Sequence, residues 1–281
     1  LVAGVFGLTL VGCGQRAKST AQTSRASTTR KVKRSVAVVP TFYVHGFQGS
    51  AKSTNTLIAH AEQHAQAKKV LTATVSADGQ VQLTGHWGKR VKRPLIQVVF
   101  TNNLAQYPQQ TAWLTKVLTA VQQAHHFKRY NVVAHSAGCV ATVNLLMTAH
   151  PASFPRIKQL VTIAGPFDGV VGEDDVANQN QFLASGAPKY QHAAYQLLAP
   201  KRHQFPKGVH LLNIVGDLDD GTNSDGLVTH VSARSIKYLL RDQRVHYVER
   251  DFHGASAQHS QLHENPRVAT TIEKALWSQA H

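Results

Sequence analysis

Tyr130-Asn131-Val132-Val133-Ala134-His135-Ser136-Ala137-Gly138-Cys139 sets an apolar, β-branched run against an abrupt corner of small residues, with a helix-forming tail behind it. Such a strand–turn–helix holds a serine hydroxyl exposed at the end of a parallel sheet, and its usual pattern is G-x-S-x-G. Here the pattern is A-x-S-x-G, with Ala134 in place of the first glycine. The small residues let strand and helix approach at a corner too sharp for larger side chains, and alanine is the least disruptive substitute. Five residues alone are weak evidence, because S-x-G arises by chance in many chains. The rest of the sequence decides whether Ser136 is a nucleophile.

Working outward, 36–44 reads as a buried strand, 54–68 as a helix, and 70–84 as two short strands about Asp78-Gly79, a hairpin signal. A further apolar strand follows at 94–100. Segment 108–126 is an amphipathic helix with Trp113, Leu114, Val117, Leu118 and Val121 at helical spacing. After the serine come a helix over 137–149 stopped by Pro151, a strand at 157–164 and a strand at 209–215. A helix at 231–240, a last strand at 244–251 and a closing helix at 267–279 complete the chain. Segment 167–207 is polar and weakly patterned and resembles a cap or lid insertion. Strands alternating with helices, most strands continuously apolar, predict an α/β fold: a mainly parallel sheet with helices on both faces. There is no internal repeat.

A chain of 281 residues with 42% hydrophobic content can bury one substantial core. Its formal charge is +15. Segment 1–12 is apolar and glycine-rich, too short to span a bilayer, and resembles the hydrophobic part of a secretion signal. Leu10-Val11-Gly12-Cys13 resembles the bacterial lipoprotein cleavage box, which implies acylation of Cys13 and anchoring outside the cell membrane. Segment 14–35 reads as a disordered tether carrying seven basic side chains and no acidic one. It is expected to lie against an anionic membrane or cell-wall polymer. Without an aromatic-interleaved basic motif, nucleic acid is not an expected partner. The expected organisation is therefore 1–13 signal remnant, 14–35 tether and 36–281 folded domain.

Cys13 and Cys139 are the only cysteines, and Cys139 reads as a small buried hydrophobe on the first turn after Ser136. Two cysteines cannot make a four-thiolate cluster, and the histidines lack HExxH spacing, so neither metal nor cofactor is expected. His60 and His64, one helical turn apart, are expected on a solvated face.

A serine hydroxyl attacks poorly until a base takes its proton, and the base needs a third group to orient it. In this arrangement the acid and then the histidine come later in the chain. Asp225 is the preferred acid, because Asp225-Gly226-Leu227-Val228 resembles the segment before a helix in many lipases and esterases. Asp219 is the reserve, and Asp168, after the previous strand, is a third position. Asp217, Asp219 and Asp220 could suggest calcium, but the glycine and glutamate placement of an EF-hand loop is absent, and turn chemistry accounts for the cluster. The base candidates are His253, His259 and His263. His259 stands at the offset before Glu264-Asn265-Pro266 that resembles a hydrolase histidine loop, whereas His263 is too close to the helix start. Two backbone N–H donors are needed for a developing oxyanion. Ala137, next to the serine, nominates one. His45-Gly46-Phe47, which resembles the HG-x turn of lipases, nominates the Phe47 amide, with His45 as support for that loop.

Taken together, Tyr43-Val44-His45-Gly46-Phe47, Ala134-His135-Ser136-Ala137-Gly138, Ala164-Gly165-Pro166-Phe167, Asn223-Ser224-Asp225-Gly226 and the segment from His259 to Pro266 resemble the α/β-hydrolases. More narrowly they resemble the cell-surface hydrolases of Gram-positive bacteria, notably lactic acid bacteria. The resemblance implies a secreted, lipid-anchored serine hydrolase acting on small or lipid-like carboxylic esters through Ser136, His259 and Asp225. An acyltransferase or amidase would use the same groups, and a non-catalytic module docking on wall polymer is the reading from a different class.

Overall fold

The structure is a computed structural model that describes residues 38–278. The signal segment, Cys13 and the tether lie outside the described residues. Eight strands form one sheet in the order β3-β2-β4-β1-β5-β6-β7-β8. They are β1 (Thr41–Val44), β2 (Lys68–Val75), β3 (Val81–Gly85), β4 (Pro94–Phe100), β5 (Arg129–His135), β6 (Arg156–Ile163), β7 (His210–Asp217) and β8 (His246–His253). Every pairing is parallel except β2 with β3, which the Asp78-Gly79 turn folds back into a hairpin. Gly79 takes φ 80° there, in the left-handed region that favours glycine.

The helices are α1 (Lys52–His64), α2 (Tyr107–His125), α3 (Ala137–Leu146), α4 (Ala193–Leu198), α5 (His230–Leu239) and α6 (Pro266–Trp277). Alternation along the strands splits the core in two. Phe42, Val44, Val132 and Ala134 face a cluster with Trp113, Leu114 and Val117 of α2 and Val140 and Val143 of α3. Tyr43 and Val133 face the other way, against Leu57 and Ile58 of α1 and Val268 and Ile272 of α6. Each Val, Leu, Ile or Phe among them contributes about 1.5–3 kcal/mol when fully buried. Both faces of the sheet are thus covered, as the alternating pattern predicts.

Three local departures have plain causes. The helix expected to reach residue 68 stops at His64, because Gln66 enters the left-handed region (φ 51°) and the chain turns into β2. His60 is not on a solvated face: α1 and α6 share one side of the sheet, and His60 Nδ1 lies 2.6 Å from a Glu273 carboxylate oxygen. Within 167–207, α4 and the 3-10 turn Ala199–Gln204 form, and Phe167, Tyr195, Leu198 and Phe205 enter the main core. Their apolar positions are too scattered to make a periodic signal. Among the described residues no helix is long and apolar enough to cross a membrane.

Candidate active site

Parallel strands deliver the loops at their C-terminal ends to one edge of the sheet. β1, β5, β7 and β8 end there, carrying the 45–51 loop, Ser136, the 218–229 loop and the 254–265 segment. Ser136 occupies the corner between β5 and α3 with φ 53° and ψ −129°, a conformation non-glycine residues rarely adopt. Its own N–H donates to the Ile163 carbonyl at 2.9 Å. Space explains the flanking glycines. A Cβ on Gly138 would lie 2.6 Å from the His45 carbonyl oxygen, and one on Gly46 would lie 2.7 Å from Ser136 Cβ. Ala134, at the position usually held by glycine, is fully buried without displacing the corner.

His259 Nε2 lies 2.9 Å from Ser136 Oγ, and His259 Nδ1 lies 2.9 Å from Asp225 Oδ2. The consistent proton arrangement has the serine hydroxyl donating to Nε2 and Nδ1–H donating to the carboxylate. Asp225 is 1% exposed and its second oxygen accepts the Leu227 and Val228 N–H groups at 2.9 and 2.7 Å. The two loops are also tied through backbone, the His259 N–H donating to the Asp225 carbonyl at 2.9 Å.

The other acid candidates and His253 lie elsewhere, whereas His263 lines the same cleft. Asp219 pairs with His253 at 2.9 Å on the surface. Asp168 is buried within the 167–207 segment, accepting the His192 N–H at 2.8 Å and the Asn180 amide at 2.9 Å. Burial pushes its carboxyl up to about 7. Asp217, Asp219 and His253 stand close enough together to share a cation. Asp217 accepts the Asp219 N–H and faces His230, and Asp220 accepts the Thr222 N–H, which is turn chemistry.

The Phe47 and Ala137 N–H groups have no acceptor among the described residues, and both residues line the cleft around Ser136. Ala137 opens α3, where the helix dipole adds partial positive charge. His45 is fully buried and spans the base of the Phe47 loop. Its Nδ1–H donates to the Gly46 carbonyl at 2.8 Å, and Nε2 accepts the Phe100 N–H at 3.0 Å. Burial holds this imidazole below its usual range. Cys139 is buried, its thiol directed at the Ala134 carbonyl 3.2 Å away.

His135 is the participant that motif reading passed over. Its Nε2–H donates to the His259 carbonyl at 2.9 Å, and its ring centre lies 4.7 Å from those of both His259 and His263. Burial first, then the two neighbouring imidazoles, hold it well below the usual range. His135 has the parity of Val133 on β5, so it faces the side of the sheet that α6 and the histidine loop cover. That parity was the available signal. The cleft itself has a volume of about 620 Å³, with Tyr107, Val171 and Glu173 on the wall formed by α2 and the 167–207 segment.

Comparison with known proteins bears on this geometry. None of the curated proteins compared with the chain matches it. Solved structures share the fold, two of them over most of both chains. The product of gene lin2722 from Listeria innocua is 23% identical, with a TM-score of 0.78 over 87% of this chain and 96% of its own. A protein from Lactobacillus plantarum WCFS1, named as a cell surface hydrolase, is 23% identical, with a TM-score of 0.72 over 88% of this chain and 94% of its own. The family described as alpha/beta hydrolase of unknown function (DUF915) matches residues 27–279. With its sheet, its connections and nearly its whole length accounted for in this way, the chain belongs to that alpha/beta hydrolase family.

Proposed function

We propose that the protein is a serine hydrolase that cleaves carboxylic esters. The observation that carries the reading is the unbroken run of two 2.9 Å contacts from Ser136 Oγ through His259 to Asp225, beside two unpaired backbone donors. Ser136 Oγ attacks the acyl carbonyl while His259 Nε2 takes the hydroxyl proton, and Asp225 stabilises the imidazolium. Negative charge on the carbonyl oxygen is met by the Phe47 and Ala137 N–H groups, each worth about 10²–10³ in rate at such a position. His259 then returns the proton to the leaving alkoxide as the C–O bond breaks. Water repeats the sequence on the acyl-serine, freeing the carboxylic acid. No metal or cofactor takes part in these steps.

p-Nitrophenyl esters of graded acyl length, given to wild type and Ser136→Ala, test the reading. Turnover by wild type and its loss in the variant is expected; a folded wild type inert towards every chain length would overturn it.

The sequence also supports a place for the enzyme. We propose secretion and anchoring through acylated Cys13, with the basic segment 14–35 against anionic membrane or wall polymer. Cys13→Ser should release the protein from the membrane fraction into the medium, and unchanged membrane retention would contradict anchoring at that residue.

A further inference from the structure

The chain carries 30 lysines and arginines against 15 acidic residues, yet none of the described lysines or arginines lines the cleft around Ser136. The carboxylate that does line it is Glu173. This residue is exposed, and its carboxylate has no ion-pair partner among the described residues. Its backbone is held in place. The N–H groups of Glu173, Asp174 and Asp175 all converge on the Val170 carbonyl at 3.0, 3.2 and 3.0 Å. The turn is tied to the 218–229 loop by the Val171 N–H on the Leu227 carbonyl at 2.8 Å, and to Thr229 by its hydroxyl on Asp175 at 2.7 Å.

No lysine or arginine among the described residues lines the cleft to offset that charge. His135 and His263 line it, and burial holds both imidazoles below their usual range, so near neutral pH they add no positive charge. Tyr107, on the same wall, has its hydroxyl pushed up to about 12, by burial first and then by the charges of Asp174 and Glu173. Glu173 therefore presents its negative charge to the cleft. A cleft so lined disfavours an anionic substrate, and Glu173, in a cleft that Tyr107 also lines, suits a substituted ammonium.

We propose that the cleft selects esters carrying a cationic group, held within reach of Glu173. This rests on the ester-hydrolase reading above and names the substrate class of the same site.

The test compares matched pairs on the full chain. Butyrylcholine against 3,3-dimethylbutyl butyrate places the charge on the alcohol; alanine methyl ester against methyl isobutyrate places it on the acyl group. In at least one pair, kcat/KM should favour the cation by about 3- to 10-fold, the size expected for one exposed charge a few Å away in water. The ratio should fall towards one in Glu173→Gln for the choline pair, and in Glu173→Lys the same ratio should drop below one. For the alanine pair, whose ammonium also activates the carbonyl, the part lost in Glu173→Gln is the measure. In wild type the preference should shrink between about 0.01 M and about 1 M salt, where the Debye length falls from about 30 to about 3 Å. Turnover of neutral esters with no charge preference in either pair, or a preference that survives Glu173→Gln unchanged, overturns this inference alone. Inertness towards all four esters overturns it together with the hydrolase reading.

Discussion

Residues 130–147, the β5–α3 side of the cleft, are all buried except for Ser136, and their neighbours are chiefly apolar side chains of α2 and the sheet. The opposite wall, which carries Glu173, is held by polar contacts. Asp175 accepts the Thr229 hydroxyl, Asp174 accepts the Val170 N–H at 2.9 Å, and Asp168 accepts two donors from inside the 167–207 segment. The Ser232 hydroxyl adds a bond to the Gly169 carbonyl at 2.7 Å. The side that carries the proposed nucleophile rests on close packing, which barely responds to pH. The side on which the proposed substrate selection depends rests on carboxylates, of which Asp168, its pKa raised by burial, responds to pH. Changes on the first wall are therefore expected to act on rate, and changes on the second on selectivity and on the pH dependence of stability.

The largest effect belongs to Ser136→Ala, which should lower ester turnover by at least about 10³-fold and leave the melting temperature within about 2 °C. A comparable loss of stability would mean that the corner serves folding rather than chemistry. Gly46→Val comes next. Its Cβ would meet Ser136 Cβ at 2.7 Å, moving the Phe47 amide away, and kcat should fall about 10²-fold, as for a displacement near 1 Å. His135→Phe removes the donor to the His259 carbonyl while filling the same space. A drop of about 10-fold in kcat with KM within about twofold is expected, part of it restored in His135→Gln; equal kcat in all three would reduce His135 to packing.

A further effect, read as stability rather than rate, tests the polar wall. The Asp168 carboxyl is raised in the folded chain to about 7 by burial, above the value of about 3.9 of an unfolded aspartate. A raised pKa means that the folded state holds its proton more tightly, so this contribution to stability is complete below about pH 4 and is lost as pH rises through about 7. In Asp168→Asn the fall in stability between about pH 5 and pH 8 should be smaller than in wild type by about 1–3 kcal/mol, read from denaturant unfolding. Parallel pH curves would show that Asp168 does not carry the dependence.

The parts of the molecule that were legible in the sequence are those where one local pattern has one physical outcome. The β-branched run before Ser136, the Asp78-Gly79 hairpin and the spacing of Trp113, Leu114, Val117, Leu118 and Val121 each specify an element by periodicity or turn chemistry. The resemblance of the segment before Glu264-Asn265-Pro266 to a hydrolase histidine loop singled out His259, whose Nε2 lies 2.9 Å from Ser136 Oγ. The role of His135 was hidden because a residue between a strand and a small-residue corner does not announce its neighbour. Only its parity with Val133, once the sheet face was assigned, points to the His259 carbonyl. The Glu173 wall was hidden for another reason. Its turn is closed by hydrogen bonds to residues more than fifty positions away, such as Val171 to Leu227 and Asp175 to Thr229, and such partners leave no period in the sequence.

The nucleophilic character of one hydroxyl underlies the whole account, and a fluorophosphonate probe reads it directly. Mass spectrometry of the labelled, digested protein should show one adduct, on the peptide containing Ser136, with Ser136→Ala unlabelled. A folded wild type that takes up no probe, or takes it up at another residue, would contradict the account.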